Sequence, residues 1–203
     1  MRASVFGLCL LSFHLLSPVP RAHSAPGFLE RFVSTEKNVA AQKTQQTTGE
    51  HSLIPAPEVY FSPRGGCTEA VVRELNAARQ TVLVQAYSFT SAPIATALVA
   101  ASRRGVRVEA VLDKSNKTGK YSEADFLLNA RIPTYIDGRH AIAHNKVMII
   151  DGETVLTGSF NFTKAAEESN AENLLILRSP HLAKLYSDSF LEHREHSLPH
   201  TGR

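Results

Sequence analysis

A chain of 203 residues, 43% of them hydrophobic and 20% charged, is long enough for one globular domain with its own core. No apolar run is long enough to span a bilayer securely. A formal charge of +3 is too small to identify a polyanionic partner from charge alone.

The chain opens with Arg2, a mostly apolar stretch from Ala3 to Leu16, the breakers Pro18 and Pro20, and small residues around Ala22-His23-Ser24. These are the parts of a signal peptide, and we read residues 1–24 as one. Cleavage there predicts a secreted or periplasmic protein with no stable membrane insertion; an uncleaved anchor is the alternative. Cleavage also removes Arg2 and Arg21, which takes the formal charge from +3 to +1. Cys9 leaves too, so Cys67 becomes the sole cysteine and no intrachain disulfide is possible. Cys67 is read as buried in a helix, the alternative being a bridge between two chains.

Residues 25–56 are rich in Gln, Thr, Ser and Ala and hold no sustained apolar period, so they read as a partly disordered linker, with a short helix around Phe28–Val33. The domain is expected over residues 57–196, with 197–203 as a tail. Within it the predicted elements alternate. Val59–Phe61 is a short strand, Thr68–Arg79 a helix with Ala70, Val71, Leu75 and Ala78 as its stripe, and Thr81–Tyr87 a buried strand. Ile94–Ser102 is a helix closed by Gly105, Val106–Leu112 a strand, Asp113–Lys120 a polar loop, and Tyr121–Asn129 a helix. Ile132–Ile136 is a strand followed by an exposed loop through Asp137, Gly138, Arg139 and His140. A hairpin, a helical turn at Lys164–Glu168, a strand at Glu172–Leu177 and a helix over Pro180–His193 complete the series. This alternation predicts an α/β fold, a mixed β-sheet sandwiched between helices in one domain. Ligands of such sheets sit beyond the carboxyl ends of strands, where Ser88–Ser91 and Asp113–Lys120 fall.

The hairpin carries the chemistry. Asp151-Gly152 between two apolar runs is a strong turn signal, pairing Asn145–Ile150 with Thr154–Gly158. Residues two apart on a strand share a face, which sets His144 beside Lys146. Gly158 permits an unusual backbone path, so Ser159 and Asn161 can return toward the same spot. A nucleophile or acid, a fixed cation, a hydroxyl and an amide would then converge on a small anionic group.

The spacing His144-x-Lys146-x4-Asp151-x6-Gly158-Ser159-x-Asn161 resembles the signature of the phospholipase D superfamily, with every specified position filled. Residues from about Val59 to Glu192 are similar to its single-motif bacterial endonuclease branch, through Ala86-Tyr87-Ser88-Phe89-Thr90, Arg104-Gly105-Val106, Thr118-Gly119 and the run from Gly158 to Glu167. Ser169-Asn170-Ala171-Glu172-Asn173 resembles the segment in which that branch carries an acidic partner for the motif histidine. Ala143 departs from the pattern, standing where many members have a larger residue; packing rather than chemistry should be affected.

The resemblance implies a phosphodiesterase, most simply a non-specific secreted endonuclease cleaving DNA or RNA. The chain has one motif copy, so by resemblance to that branch two chains should pair as a homodimer with their motifs at the two-fold axis. One His144 would attack phosphorus, and the partner's His144 would protonate the leaving group. Lys146, Asn161 and Ser159 would hold the nonbridging oxygens, and Glu172 would orient the imidazole. Asp151 is counted with the motif's catalytic set, although its place in the turn gives it a mainly structural part. The scheme needs no metal or cofactor, and no His-Glu-x-x-His, Cys-x-x-Cys or clustered Asp pair is present. His193-x-x-His196 is a weak ligand pair, better read as part of a solvated tail.

Lys114, Lys117 and Lys120 in one loop, with Ser88 and the flanking Arg139 and His140, are the candidate substrate-binding residues for nucleic acid. No base-reading module is apparent, so little sequence specificity is expected. A phospholipase D or phosphatidyltransferase acting on phospholipid is the first alternative, although no amphipathic interfacial helix is evident. A catalytically silent nucleic-acid-binding protein is the second.

Overall fold

The computed structural model describes residues 55–202; the expected signal peptide and nearly all of the linker lie outside them. Eight strands form one mixed sheet: β1 (Glu58–Ser62), β2 (Thr81–Ala86), β3 (Arg107–Asp113), β4 (Thr134–Asp137), β5 (Lys146–Ile150), β6 (Thr154–Gly158), β7 (Glu172–Arg178) and β8 (Leu198–Pro199). Their spatial order is β1-β7-β6-β5-β2-β3-β4-β8. β2, β3 and β4 run parallel, joined by helical crossovers, and every other pairing is antiparallel.

The helices are α1 (Cys67–Ala77), α2 (Ala92–Arg103), α3 (Ala124–Asn129), α4 (Lys164–Glu168) and α5 (Pro180–His196), with a 3₁₀ turn at Lys114–Lys117. Strand alternation divides the core in two. Val82, Val84, Met148, Ile150, Leu156 and Leu174 face the layer containing α1 and α2. Val111, Val147, Ile149 and Val155 face Ala183 and Phe190 of α5. Both faces of β5 are therefore covered, as its unbroken apolar run requires. Cys67 is fully buried, and burial followed by the nearby Glu167 pushes its thiol up to about 11, so bridging to another chain is closed to it in this fold. Glu167 also caps α1, accepting from Gly66 N at 3.1 Å and Thr68 N at 2.7 Å, because the N-cap glycine has no side chain to do so.

Three sequence expectations need correction. The helix expected from Tyr121 begins at Ala124, where Ser122 Oγ accepts from the Ala124 N–H at 3.2 Å. Asp137 is not exposed: its side chain is fully buried at the end of β4. His193 and His196 do not lie in a solvated tail. α5 runs on to His196, and the chain then turns so that Leu198 and Pro199 add β8 beside β4.

Candidate active site

The strand directions bring the motif to one end of the sheet. β2 and β3 finish there, at Ala86 and Asp113, and are followed by Tyr87–Ser88 and Lys114. β5, antiparallel to β2, begins there, with Lys146 opposite Ala86. β6 ends there at Gly158, which pairs with Leu174 of β7, so Glu172 starts at the same edge. Residues distant in the chain therefore meet through register alone.

His144 lies exposed just ahead of β5. Its ring stacks at a tilt on Tyr87, with centroids 4.7 Å apart, and makes no hydrogen bond among the described residues. Lys146 is only 7% exposed. Its Nζ donates to the His144 carbonyl at 2.9 Å and lies 5.1 Å from the Tyr87 ring centre. Burial lowers the lysine pKa from its ordinary value, and the Glu172 carboxylate works against that shift. Tyr87 thus supports both the imidazole and the ammonium.

Gly158 has φ 149°, and a Cβ there would press into the Asn173 carbonyl oxygen and stand 2.9 Å from Asn173 Oδ1. The close approach lets Ser159 N and Phe160 N both donate to that carbonyl at 3.1 Å. Ser159 Oγ in turn accepts from Asn173 N at 3.0 Å and Asn173 Nδ2 at 3.3 Å. With its lone pairs engaged, the hydroxyl has its proton left to donate. Asn161 is half-buried, and its Oδ1 is buried without a partner among the described residues, at a typical cost of about 1–3 kcal/mol.

The other expected residues divide. Glu172 Oε1 accepts from Asn170 Nδ2 at 3.1 Å, so the orienting bond to His144 is not made in this conformation; its effect is on the charge of Lys146. Asp151 is not in the site. It lies at the opposite end of β5, about 17 Å along the strand from Lys146 at ~3.4 Å per residue. There its carboxylate accepts from the backbone N–H groups of Arg79 at 3.0 Å, Gln80 at 2.8 Å and Thr81 at 2.9 Å, tying the hairpin turn to the start of β2. Ser88 is half-buried beside Tyr87, and Lys114, Lys117 and Lys120 are exposed on the loop after β3. Lys114 Nζ is committed to the His140 carbonyl at 3.1 Å, and Lys120 lies 5.3 Å from the Tyr121 ring centre.

Tyr87, Asn173 and Asp113 shape the site beyond the residues expected from the sequence. Asp113 Oδ2 accepts from Ala143 N at 2.8 Å, anchoring the segment that leads into His144. The available signal for Tyr87 was its place at the carboxyl end of a buried strand. Asp113 falls at a strand end of the same kind and Asn173 within the segment that resembles the family, but their hydrogen-bond partners are set by register, which neither signal contains. The assembled site presents an exposed imidazole, a desolvated ammonium and a free hydroxyl proton at one edge, suited to attack on a tetrahedral anion while its charge is held.

Comparison with known proteins identifies the relatives of this chain. The family described as "Cardiolipin synthase, PLD-like domain" matches residues 71–194. A phospholipase D of Rickettsia conorii is 43% identical over 134 residues, covering 66% of this chain and 67% of the relative. A mitochondrial cardiolipin hydrolase of Xenopus laevis is 32% identical over 117 residues, covering 58% and 56%. The crystal structure of Nuc from Salmonella typhimurium, a phospholipase D family member, superposes with a TM-score of 0.68 at 38% identity, covering 71% of this chain and 97% of that one. With the family match spanning residues 71–194, more than half of the chain, this chain belongs to the PLD-like family and is a phosphodiester hydrolase of the phospholipase D superfamily.

Proposed function

We propose that the protein is a secreted or periplasmic, metal-independent endonuclease that cleaves DNA with little sequence preference, in a site shared by two copies of the chain. The observation that carries this reading is the half-site: a solvent-facing His144 with no hydrogen-bond partner among the described residues, beside the buried Lys146. Two-step transfer needs a nucleophile on one side of phosphorus and a proton donor on the other. A second copy related by a two-fold axis supplies the opposing imidazole. One His144 takes the phosphoryl group as the P–O bond to the leaving group breaks. The partner's His144 gives that oxygen its proton, then removes a proton from the water that releases the phosphoryl group. Lys146, the Ser159 hydroxyl and the Asn161 amide hold the nonbridging oxygens. Lys117 and Lys120, exposed beyond β3, attract flanking phosphates.

Phospholipid is the second reading. It is favoured by the names of the Rickettsia and Xenopus relatives and by exposed Tyr121 and Ile142 on the loops at the same sheet edge. Plasmid DNA and vesicles of phosphatidylcholine or cardiolipin, assayed side by side, separate the two. DNA nicking that persists in EDTA, under conditions where the chelated protein is folded, is the expected result; turnover of lipid alone would replace the nuclease reading. His144→Ala should remove turnover by at least about 10³-fold. When it is mixed into wild type at nine to one, activity per wild-type chain should fall to roughly a tenth, because mixed dimers lack one imidazole. Unchanged specific activity on mixing would refute the shared site.

A further inference from the structure

A second cluster lies where the end of β4 meets the end of α5. Asp137 ends β4, His140 follows three residues later, and His193 and His196 occupy the last turn of α5. Asp137 Oδ2 faces three ring nitrogens: His140 Nδ1 at 2.8 Å, His193 Nδ1 at 2.9 Å and His196 Nε2 at 3.3 Å. One donor atom from each of the four side chains lies within 4.8 Å of every other. The carboxylate is fully buried, and the two helix histidines are 20% and 19% exposed.

We propose that Asp137, His140, His193 and His196 form a binding site for one divalent transition-metal ion of the zinc class. Three imidazole nitrogens and one carboxylate oxygen are a borderline-soft donor set of the kind zinc takes in four-coordinate sites. Metal–ligand bonds of about 2.0–2.1 Å arranged tetrahedrally place donor atoms about 3.3 Å apart, close to the separations observed from Asp137 Oδ2. Hydrogen bonding alone accounts less well for the cluster. Three ring nitrogens compete for one oxygen, and the rings crowd to centroid distances of 4.9, 5.2 and 5.5 Å. The other carboxylate oxygen is already fixed: Asp137 Oδ1 accepts from Arg139 N at 3.1 Å and His140 N at 3.3 Å, which aims Oδ2 at the histidines. Ser197 Oγ donates to the His193 carbonyl at 2.6 Å and holds the helix end in place. The cluster borders an open cleft of about 650 Å³, also lined by Glu192 and Glu195, through which an ion can enter.

The site's role is that of a clasp. It joins the end of α5, the end of β4 and the connection leading to His144, and the same connection is held at the His140 carbonyl by Lys114. It shares no side chain with His144, Lys146, Ser159, Asn161 or Glu172; His140, expected from the sequence to meet substrate, is a ligand here instead.

The test uses the full chain, purified without a histidine tag, stripped with EDTA and dialysed. Titration with Zn2+ should give about one equivalent bound with a Kd of about 1 µM or tighter, and Co2+ should give the visible bands of a tetrahedral complex. Binding should raise the melting temperature. The double variant His193→Ala/His196→Ala should bind at least about 100-fold more weakly, while His181→Ala, at the other end of α5, should bind as wild type does. If circular dichroism shows the double variant unfolded, His196→Gln takes its place and should bind at least about tenfold more weakly. No stoichiometric binding by wild type, or wild-type affinity in the folded variant, would overturn the site. Stoichiometry and spectrum are read independently of turnover, so the result does not depend on the nuclease reading.

Discussion

Asp151 belongs to the sequence signature, yet its geometry makes it a structural residue, and replacing it separates the two roles. In Asp151→Ala three backbone N–H donors lose their acceptor. Arg79 N and Gln80 N are exposed and can turn to water, whereas Thr81 N is partly buried and pays more of the desolvation cost. Roughly 1–3 kcal/mol for the partly buried donor and about 0.5 kcal/mol for each exposed one give about 2–4 kcal/mol. Asp151 also sits at φ 55°, a region Asn tolerates and Ala does not, adding about 1 kcal/mol for Ala. Asp151→Ala should therefore lower the melting temperature by roughly 6–20 °C, at about 2–4 °C per kcal/mol for a domain of this size, and Asp151→Asn by about half as much. Phosphodiesterase activity, assayed well below the transition, should stay within about twofold of wild type for both. The sign with pH follows from the same contacts. Burial acts to raise the Asp151 pKa, but the N–H groups of Thr81, Gln80 and Arg79 together outweigh it and hold the carboxyl below its ordinary range. A depressed carboxylate stabilises the fold above its unfolded pKa, and that contribution fades as pH falls from about 4 through the folded value. The difference in stability between wild type and Asp151→Asn should accordingly shrink in acid. A folded Asp151→Asn that loses activity a hundredfold would show that this residue acts in the chemistry and that the argument from its position is wrong.

Three further outcomes are expected. Gly158→Ala forces a Cβ against Asn173 and should displace Ser159, lowering activity at least about tenfold with a stability loss of about 1–3 kcal/mol, measured by turnover and chemical denaturation; full activity would mean the strand end is free to shift. Tyr87→Phe should keep most activity because the ring face survives, whereas Tyr87→Leu should lose about tenfold as His144 and Lys146 lose their support; equal effects would remove the aromatic role. Glu172→Gln removes the charge that opposes the lowering of the Lys146 pKa by burial, so the alkaline limb of the kcat/KM profile should move to lower pH; a limb moving upward or standing still would detach Lys146 from that limb.

The chain is legible wherever a few neighbouring residues decide the outcome. Asp151-Gly152 produced the hairpin with both residues at positive φ, and the unbroken apolar run Val147, Met148, Ile149 and Ile150 produced a strand covered on both faces. The spacing of His144 and Lys146 places both at the strand's leading end, and the Lys146 ammonium reaches the His144 carbonyl. Turn chemistry and side-chain alternation act over two to five residues, so they are written in the order of the chain itself. Only the assembled sheet decided that Asp151 stands away from the site, that Asn173 holds Ser159 from fourteen residues on, and that Tyr87 lies under the motif. Only it brought His193 to Asp137 across fifty-six residues, turning a histidine pair read as solvated tail into half of a four-residue cluster. Those contacts follow from strand order and register, which are set by packing the two apolar faces of the sheet against α1, α2 and α5, and no short stretch of the chain contains that information.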